Sequence, residues 1–178
     1  MILASRCGGC GCRMNNIHQP SAINNWLFKT EPHIYSVNDL ATSDNKIARW
    51  DGIRNYQARN FLRDDTAIND RVFLYHCQCS KPGIYGVARI NRAGYADPAQ
   101  FDSGSAYFDA KARSDLARWY CVDIQLEHAL EEPLLLPRIK DDQRLSQLGL
   151  FKQPRLSVVP ITESESTHLM ALILPQHA

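Results

Sequence analysis

Short blocks of apolar residues, separated by turn-forming clusters, run along the chain from about residue 25 to residue 174, and each block has the period of a strand or of a short helix. Asn25 to Lys29 (Asn-Trp-Leu-Phe-Lys) reads as a strand. Thr30-Glu31-Pro32 ends it, because proline has no N–H to give to a ladder. Ser36 is placed to cap a helical turn through Leu40. Asp51-Gly52 is a turn signal, and Asn55 is a preferred cap for a helix over Tyr56 to Leu62. On that helix Ala58, Phe61 and Leu62 fall on one side and pack inward, whereas Asn55, Arg59 and Arg63 share another side.

Asp70 to His76 is rich in branched and aromatic residues and predicts a strand. A loop over Cys77 to Gly83 and a second strand over Ile84 to Ile90 complete a hairpin. Tyr95 to Lys111 has no clear period and reads as a long loop, a kind of segment that often carries function. Trp119 to Leu126 alternates and makes a third good strand. Leu136 to Leu148 reads as an amphipathic helix stopped by Gly149. Arg155 to Pro160 is a final short strand, and Thr162 with Glu165 makes a capping box for a closing helix that buries Leu169, Leu172 and Ile173. Strands interleaved with short helices at hairpin-like spacing predict an α+β fold: a small mixed β-barrel with helices packed at its rim and a ligand mouth at one end.

Residues 1–24 lack any apolar period and read as an N-terminal extension, or as a piece upstream of a translation start at Met14, ahead of a single folded domain over 25–174. Cys7, Cys10, Cys12 and His18 are zinc-ligand types, but Cys12 crowds Cys10 and the usual two well-separated pairs are missing, so no metal is assigned. Twenty Lys and Arg against 19 Asp and Glu leave a net charge of +1, which argues against coating nucleic acid by charge alone. Any such contact must be local, and Lys29 to Arg63 and Arg138 to Arg155 are the two mildly basic segments. No apolar run approaches the ~18 residues of a membrane span, and no signal core opens the chain. An intracellular protein with mostly reduced cysteines is expected, cytoplasmic, or nuclear in a eukaryotic source.

The densest recognition chemistry lies in Trp50 to Asp64, where Trp50 and Tyr56 offer flat faces and Arg54, Asn55, Gln57, Arg59 and Asn60 offer donors and acceptors for a base edge or a phosphate. A plainer reading makes Trp50 core, Asn55 only a cap and the arginines a solvated face. His76, Cys77 and Cys79 sit at the hairpin turn. A Cys/His nucleophile pair there would also need an oriented base and an oxyanion site, and buried inert cysteine is the commoner outcome. The domain has no Gly-rich phosphate loop, HExxH pair or paired Cys-x-x-Cys ligands, so no metal or nucleotide cofactor is expected.

Several of these segments, in order, closely resemble the EVE domain family: Trp26-Leu-Phe-Lys-Thr-Glu-Pro32, Trp50-Asp-Gly-Ile-Arg-Asn-Tyr-Gln-Ala-Arg-Asn60, Phe73-Leu-Tyr-His76, Pro82-Gly-Ile84, Tyr95-Ala-Asp-Pro98, Arg118-Trp-Tyr120 with Val122-Asp123, and Arg155-Leu-Ser-Val158. The resemblance implies a PUA-like fold related to YTH domains and a non-catalytic reader, expected to act as a monomer, of one modified base: 5-methylcytosine or an oxidised derivative in DNA, or a modified RNA base. It places Lys29, Thr30 and Glu31 at the pocket lip and Trp50 in a wall. Arg54, Asn55, Tyr56, Arg59 and Asn60 become base-edge and phosphate contacts, with His76 and Tyr95 at the opposite wall and Ser157 closing the far side. Trp26, Trp119 and Phe73 are read as core. Two other functions stay open, an enzyme using His76, Cys77 or Glu31 and a module binding a small ligand. Thr30 for the family's serine, Cys77-Gln78 for Ser-Asn, and missing prolines over Ser103 to Ala117 are departures that bear on ligand identity rather than on fold.

Overall fold

The computed structural model describes residues 24–174. The extension, with its Cys7, Cys10, Cys12 and His18, lies outside the described residues except for Asn24. Six strands, β1 (Asn25–Thr30), β2 (Ile47–Trp50), β3 (Arg71–His76), β4 (Gly83–Ala96), β5 (Tyr120–Leu135) and β6 (Val158–Ile161), form one sheet in the order β2-β5-β4-β3-β1-β6. β1 and β3 run parallel and the other neighbours antiparallel. The α+β class and the β3–β4 hairpin are as expected. The sheet does not close into a barrel, because β2 and β6 remain its two edges.

Five short helices pack on this sheet: α1 (Val37–Thr42), α2 (Tyr56–Asn60), α3 (Leu136–Asp141), α4 (Gly149–Lys152) and α5 (Glu163–Ile173). Ser36 and Asp39 form a capping box on α1, and Thr162 and Glu165 form the expected one on α5. Asn55 caps α2 by accepting from the Gln57 and Ala58 N–H groups at 2.9 and 3.1 Å, and a π-helical turn over Phe61–Asp65 prolongs the helix. Leu27, Phe28, Leu62, Phe73, Ile84 and Ile124 are fully buried between sheet and helices, and Trp26 joins them with its indole N–H on Asp70 at 3.0 Å.

Three expectations are corrected. β4 runs through Tyr95 and β5 on to Leu135, because register shifts at Ile84/Gly86, Val87/Ala88, Ile90/Arg92 and Arg92/Tyr95 interrupt the alternation that marks a strand. The helix over Leu136 to Leu148 breaks at Asp142, which takes an extended conformation and caps a separate 3-10 turn through the Arg144 N–H; Gly149 begins α4 rather than ending a helix. The last strand starts at Val158, and Arg155 to Ser157 precede it as a loop. Strand β2 carries no sequence signal, being four residues with only Trp50 buried.

Candidate functional site

A cavity of about 750 Å³ opens where the C-terminal ends of β1 and β2, the start of α2, and the loops around Gln78, Tyr107 and Arg155 meet. Lys29, Thr30, Glu31, Trp50, Arg54, Asn55 and Ser157 all line it. Lys29 N–H donates to the Ser157 carbonyl at 2.8 Å and Lys29 Nζ to the Pro154 carbonyl at 2.6 Å, and burial holds this ammonium below its ordinary pKa. Thr30 Oγ1 donates to the Tyr35 carbonyl at 2.8 Å. Glu31 accepts from Gln78 Nε2 at 2.7 Å, with His33 3.4 Å from its other oxygen. Trp50 is only 6% exposed and packs on Phe28 and Tyr35, with ring centroids 5.5 and 6.5 Å away, so it is both core and cavity wall.

Arg54 does not have its donors free for a base. Its Nη1 pairs with the fully buried Asp97 carboxylate at 2.8 Å, its Nη2 donates to the Tyr107 carbonyl, and its guanidinium lies between the rings of Tyr107 and Trp119, 5.2 and 5.3 Å from their centroids. Trp119 in turn stacks on Tyr56 at 5.0 Å, and Arg59 lies over Tyr56 at 5.0 Å. A continuous stack therefore runs Tyr107, Arg54, Trp119, Tyr56, Arg59, tying the long loop to α2. Tyr107 is held over Gly52, whose φ of +71° and missing side chain admit the ring: a Cβ there would meet it at 2.7 Å. The buried Gln100 fastens the same loop, donating to the Asp97 and Trp119 carbonyls and accepting from the Arg118 and Trp119 N–H groups.

Five expected site residues lie outside the cavity. Tyr56 and Arg59 are spent in the stack, Arg59 donating also to the Arg118 carbonyl at 2.7 Å, and Asn60 accepts from Arg59 Nε at 2.9 Å. All three follow the Asn55 cap in α2. Tyr95 stands on the sheet face, its hydroxyl donating to Asp123 and accepting from Arg49 Nε at 3.2 Å. His76 is buried and faces a second cavity of about 330 Å³, its ring stacked on Tyr85 at 4.2 Å and its Nε2 accepting the Val37 N–H at 3.1 Å. Cys77 instead lines the main cavity, its Sγ directed to the Thr30 carbonyl at 3.4 Å, and burial next to Glu31 pushes its pKa up. His76 and Cys77 do not pair, because they line different cavities and address different partners; Cys79 shares the second cavity with His76, its Sγ directed at the His76 carbonyl at 4.0 Å.

Sequence reasoning missed Tyr35, Arg49, Asp51, Tyr107 and Arg155, which also line the cavity. Asp51 was read only as half of a turn; desolvation, and then the neighbouring Asp97, raise its carboxyl pKa. Tyr107 stood in a loop without period, and Arg155 carried only the signal of a mildly basic segment. The arrangement offers three aromatic rings, two carboxylate acceptors and a cationic lip in one hollow, the functional groups that hold a heterocycle and its phosphate. The departures from the family pattern, Thr30, Cys77, Gln78 and the long loop with Tyr107, all reach this cavity.

Comparison with known proteins shows relatives of this sequence and fold. Mouse thymocyte nuclear protein 1 is 34% identical over 166 residues, covering 84% of this chain and 73% of that protein. A Pseudomonas putida protein of known structure is 45% identical with a TM-score of 0.79, over 84% of this chain and 99% of that one. Human THYN1 protein, whose structure is known in complex with 5-methylcytosine-containing DNA, is 30% identical with a TM-score of 0.81, over 86% of this chain and 99% of that one. The EVE domain model matches residues 24–172, and the chain belongs to the EVE domain family.

Proposed function

We propose that this protein is a non-catalytic reader of a modified nucleobase, with 5-methylcytosine in DNA as its first ligand. A base inside a duplex cannot be inspected all round, so the reader extrudes it and holds it in the main cavity. Trp50 and Tyr107 supply stacking surface, and the Asp51 carboxylate accepts from the exocyclic amine, the donor that marks cytosine. The cavity exceeds what a pyrimidine alone fills, so sugar and phosphate enter as well, the phosphate meeting Lys29 and Arg155 at the lip. Burying one methyl is worth about 1 kcal/mol, which limits discrimination by that contact alone to about tenfold. One cavity per chain suffices, so the reader acts as a monomer, in the nucleus of a eukaryotic source or the cytoplasm of a bacterial one.

The observation that carries this reading is the convergence of Trp50, Tyr107 and Asp51 on one cavity in a chain similar to a protein held on 5-methylcytosine DNA. Titration with short DNA and RNA strands of one sequence, bearing cytosine or 5-methylcytosine, tests it. Tighter binding of the methylated strand is expected, with the DNA and RNA arms deciding the preferred polymer. Equal or absent binding of both forms would end the proposal.

A further inference from the structure

On β5, Val122 and Ile124 are buried in the core while Asp123 and Gln125 point the other way, so the strand has an outer face. On that face Arg49 of β2 and Arg92 of β4 both sit opposite Asp123, and Arg89 sits opposite Gln125. All three arginines are exposed. Their positions are fixed by neutral groups. Arg49 Nε donates to the Tyr95 hydroxyl at 3.2 Å, Arg92 lies over the Tyr95 ring at 3.8 Å from its centroid, and Arg89 donates to Gln125 Oε1 at 3.3 and 2.8 Å. Asp123 accepts from the Tyr95 hydroxyl and Asp51 acts on Arg49 from farther off, while among the described residues none of these arginines makes an ion pair.

Held guanidiniums without an ion-pair partner are suited to phosphate, which they bind in a planar, bidentate way. Arg49 lines the main cavity as well, so the row begins at its mouth and continues onto the sheet. Farther along β5 the chain turns acidic at Glu127, Glu131 and Glu132, which sets the far limit of the row. We propose that the outer face of β2, β5 and β4 is a phosphate track: Arg49, Arg92 and Arg89 carry successive phosphates of the nucleic-acid strand as it leaves the cavity. The track rests on the modified-base reading for the strand's starting point. It gives a chain of near-zero net charge the local cationic path that binding a polyanion requires.

The test uses the full chain with Arg89→Gln and Arg92→Gln combined, neither residue lining the cavity. Binding of a short single-stranded oligonucleotide with one 5-methylcytosine is measured across a range of KCl concentrations. The double variant should bind several-fold more weakly, and the slope of log K against log salt should shrink by about 1.4, about 0.7 per lost phosphate contact on a single strand. The ratio of modified to unmodified affinity should be unchanged, and the Arg89→Lys, Arg92→Lys pair should restore affinity and slope. An unchanged slope, or a collapse of the modified-to-unmodified ratio, overturns the track. Failure of the base reading looks different: the wild-type protein would bind modified and unmodified strands alike, while the double variant would still lose salt slope.

Discussion

Replacing Gly52 with alanine perturbs the cavity wall at a single carbon. The new Cβ would stand 2.7 Å from Tyr107 Cζ and 2.8 Å from Cε2, whereas carbon atoms pack best at about 3.5–4.0 Å, so the ring must withdraw by about 1 Å. Its backbone cannot follow freely, because the Tyr107 carbonyl accepts from Arg54 and its N–H donates to Ser105 Oγ at 3.1 Å. The ring is 39% exposed and has solvent to move into. Stability therefore falls mainly through the left-handed φ of +71°, worth about 1–2 kcal/mol for an L-residue. If Tyr107 stacks on the base, binding falls by about 1–3 kcal/mol. Chemical denaturation measures the first loss and titration with a 5-methylcytosine oligonucleotide the second. Tyr107→Ala should reproduce the binding loss, and the Gly52→Ala, Tyr107→Ala double variant should bind no more weakly than Tyr107→Ala alone, since both changes remove one surface. Wild-type affinity in Gly52→Ala, or additive losses in the double variant, would refute the role of this ring.

Asp51→Asn should weaken binding of the modified strand by about 1–3 kcal/mol, the worth of one base-edge contact, and the same titration reads it. Because burial and Asp97 raise the Asp51 pKa, its stabilising protonated form is lost as pH rises through the folded value; the asparagine variant should therefore be the more stable protein at neutral pH by denaturation midpoint. Trp50→Ala should lose about 1–3 kcal/mol of binding and also about 3–5 kcal/mol of folding stability, since the indole packs on Phe28 and Tyr35, whereas Trp50→Phe should retain most of the stability. Burial lowers the His76 pKa, so the fold favours the neutral ring that accepts the Val37 N–H. That contribution is complete above the ordinary imidazole pKa and is lost as pH falls through the lowered one; denaturation midpoints between pH ~7 and ~5 should drop more steeply for the wild type than for His76→Gln.

What the sequence reveals here depends on whether a residue's role is local. The caps at Ser36, Asn55 and Thr162 and the inward positions of Ala58 and Leu62 follow from side chains acting within one turn, and they are legible. So is the cavity lip at Lys29 to Glu31, because one strand end carries it. The roles of Arg54, Tyr56 and Arg59 are not legible, since their partners are Asp97, Tyr107, Arg118 and Trp119, more than forty positions away. Recognition-type residues in one run were read as one site, while the fold divides them into a wall and its support. Bulges hid the length of β4 and β5 by shifting the alternation, and Asp142 divided a segment whose buried Ile139, Leu145 and Leu148 read as one helical face across the break. Tyr107 and Asp51 could be assigned only once Gly52 and Asp97 fixed their surroundings.

The proposed function requires the extruded base to sit against Trp50 and Tyr107 in the main cavity. Nuclear Overhauser contacts from a carbon-13-labelled 5-methyl group, on a cytosine in a bound oligonucleotide, test this most directly. Contacts to ring protons of Trp50 or Tyr107 are expected. Contacts to His76 and Tyr85 of the second cavity, or none to protein in a saturated complex, would contradict it.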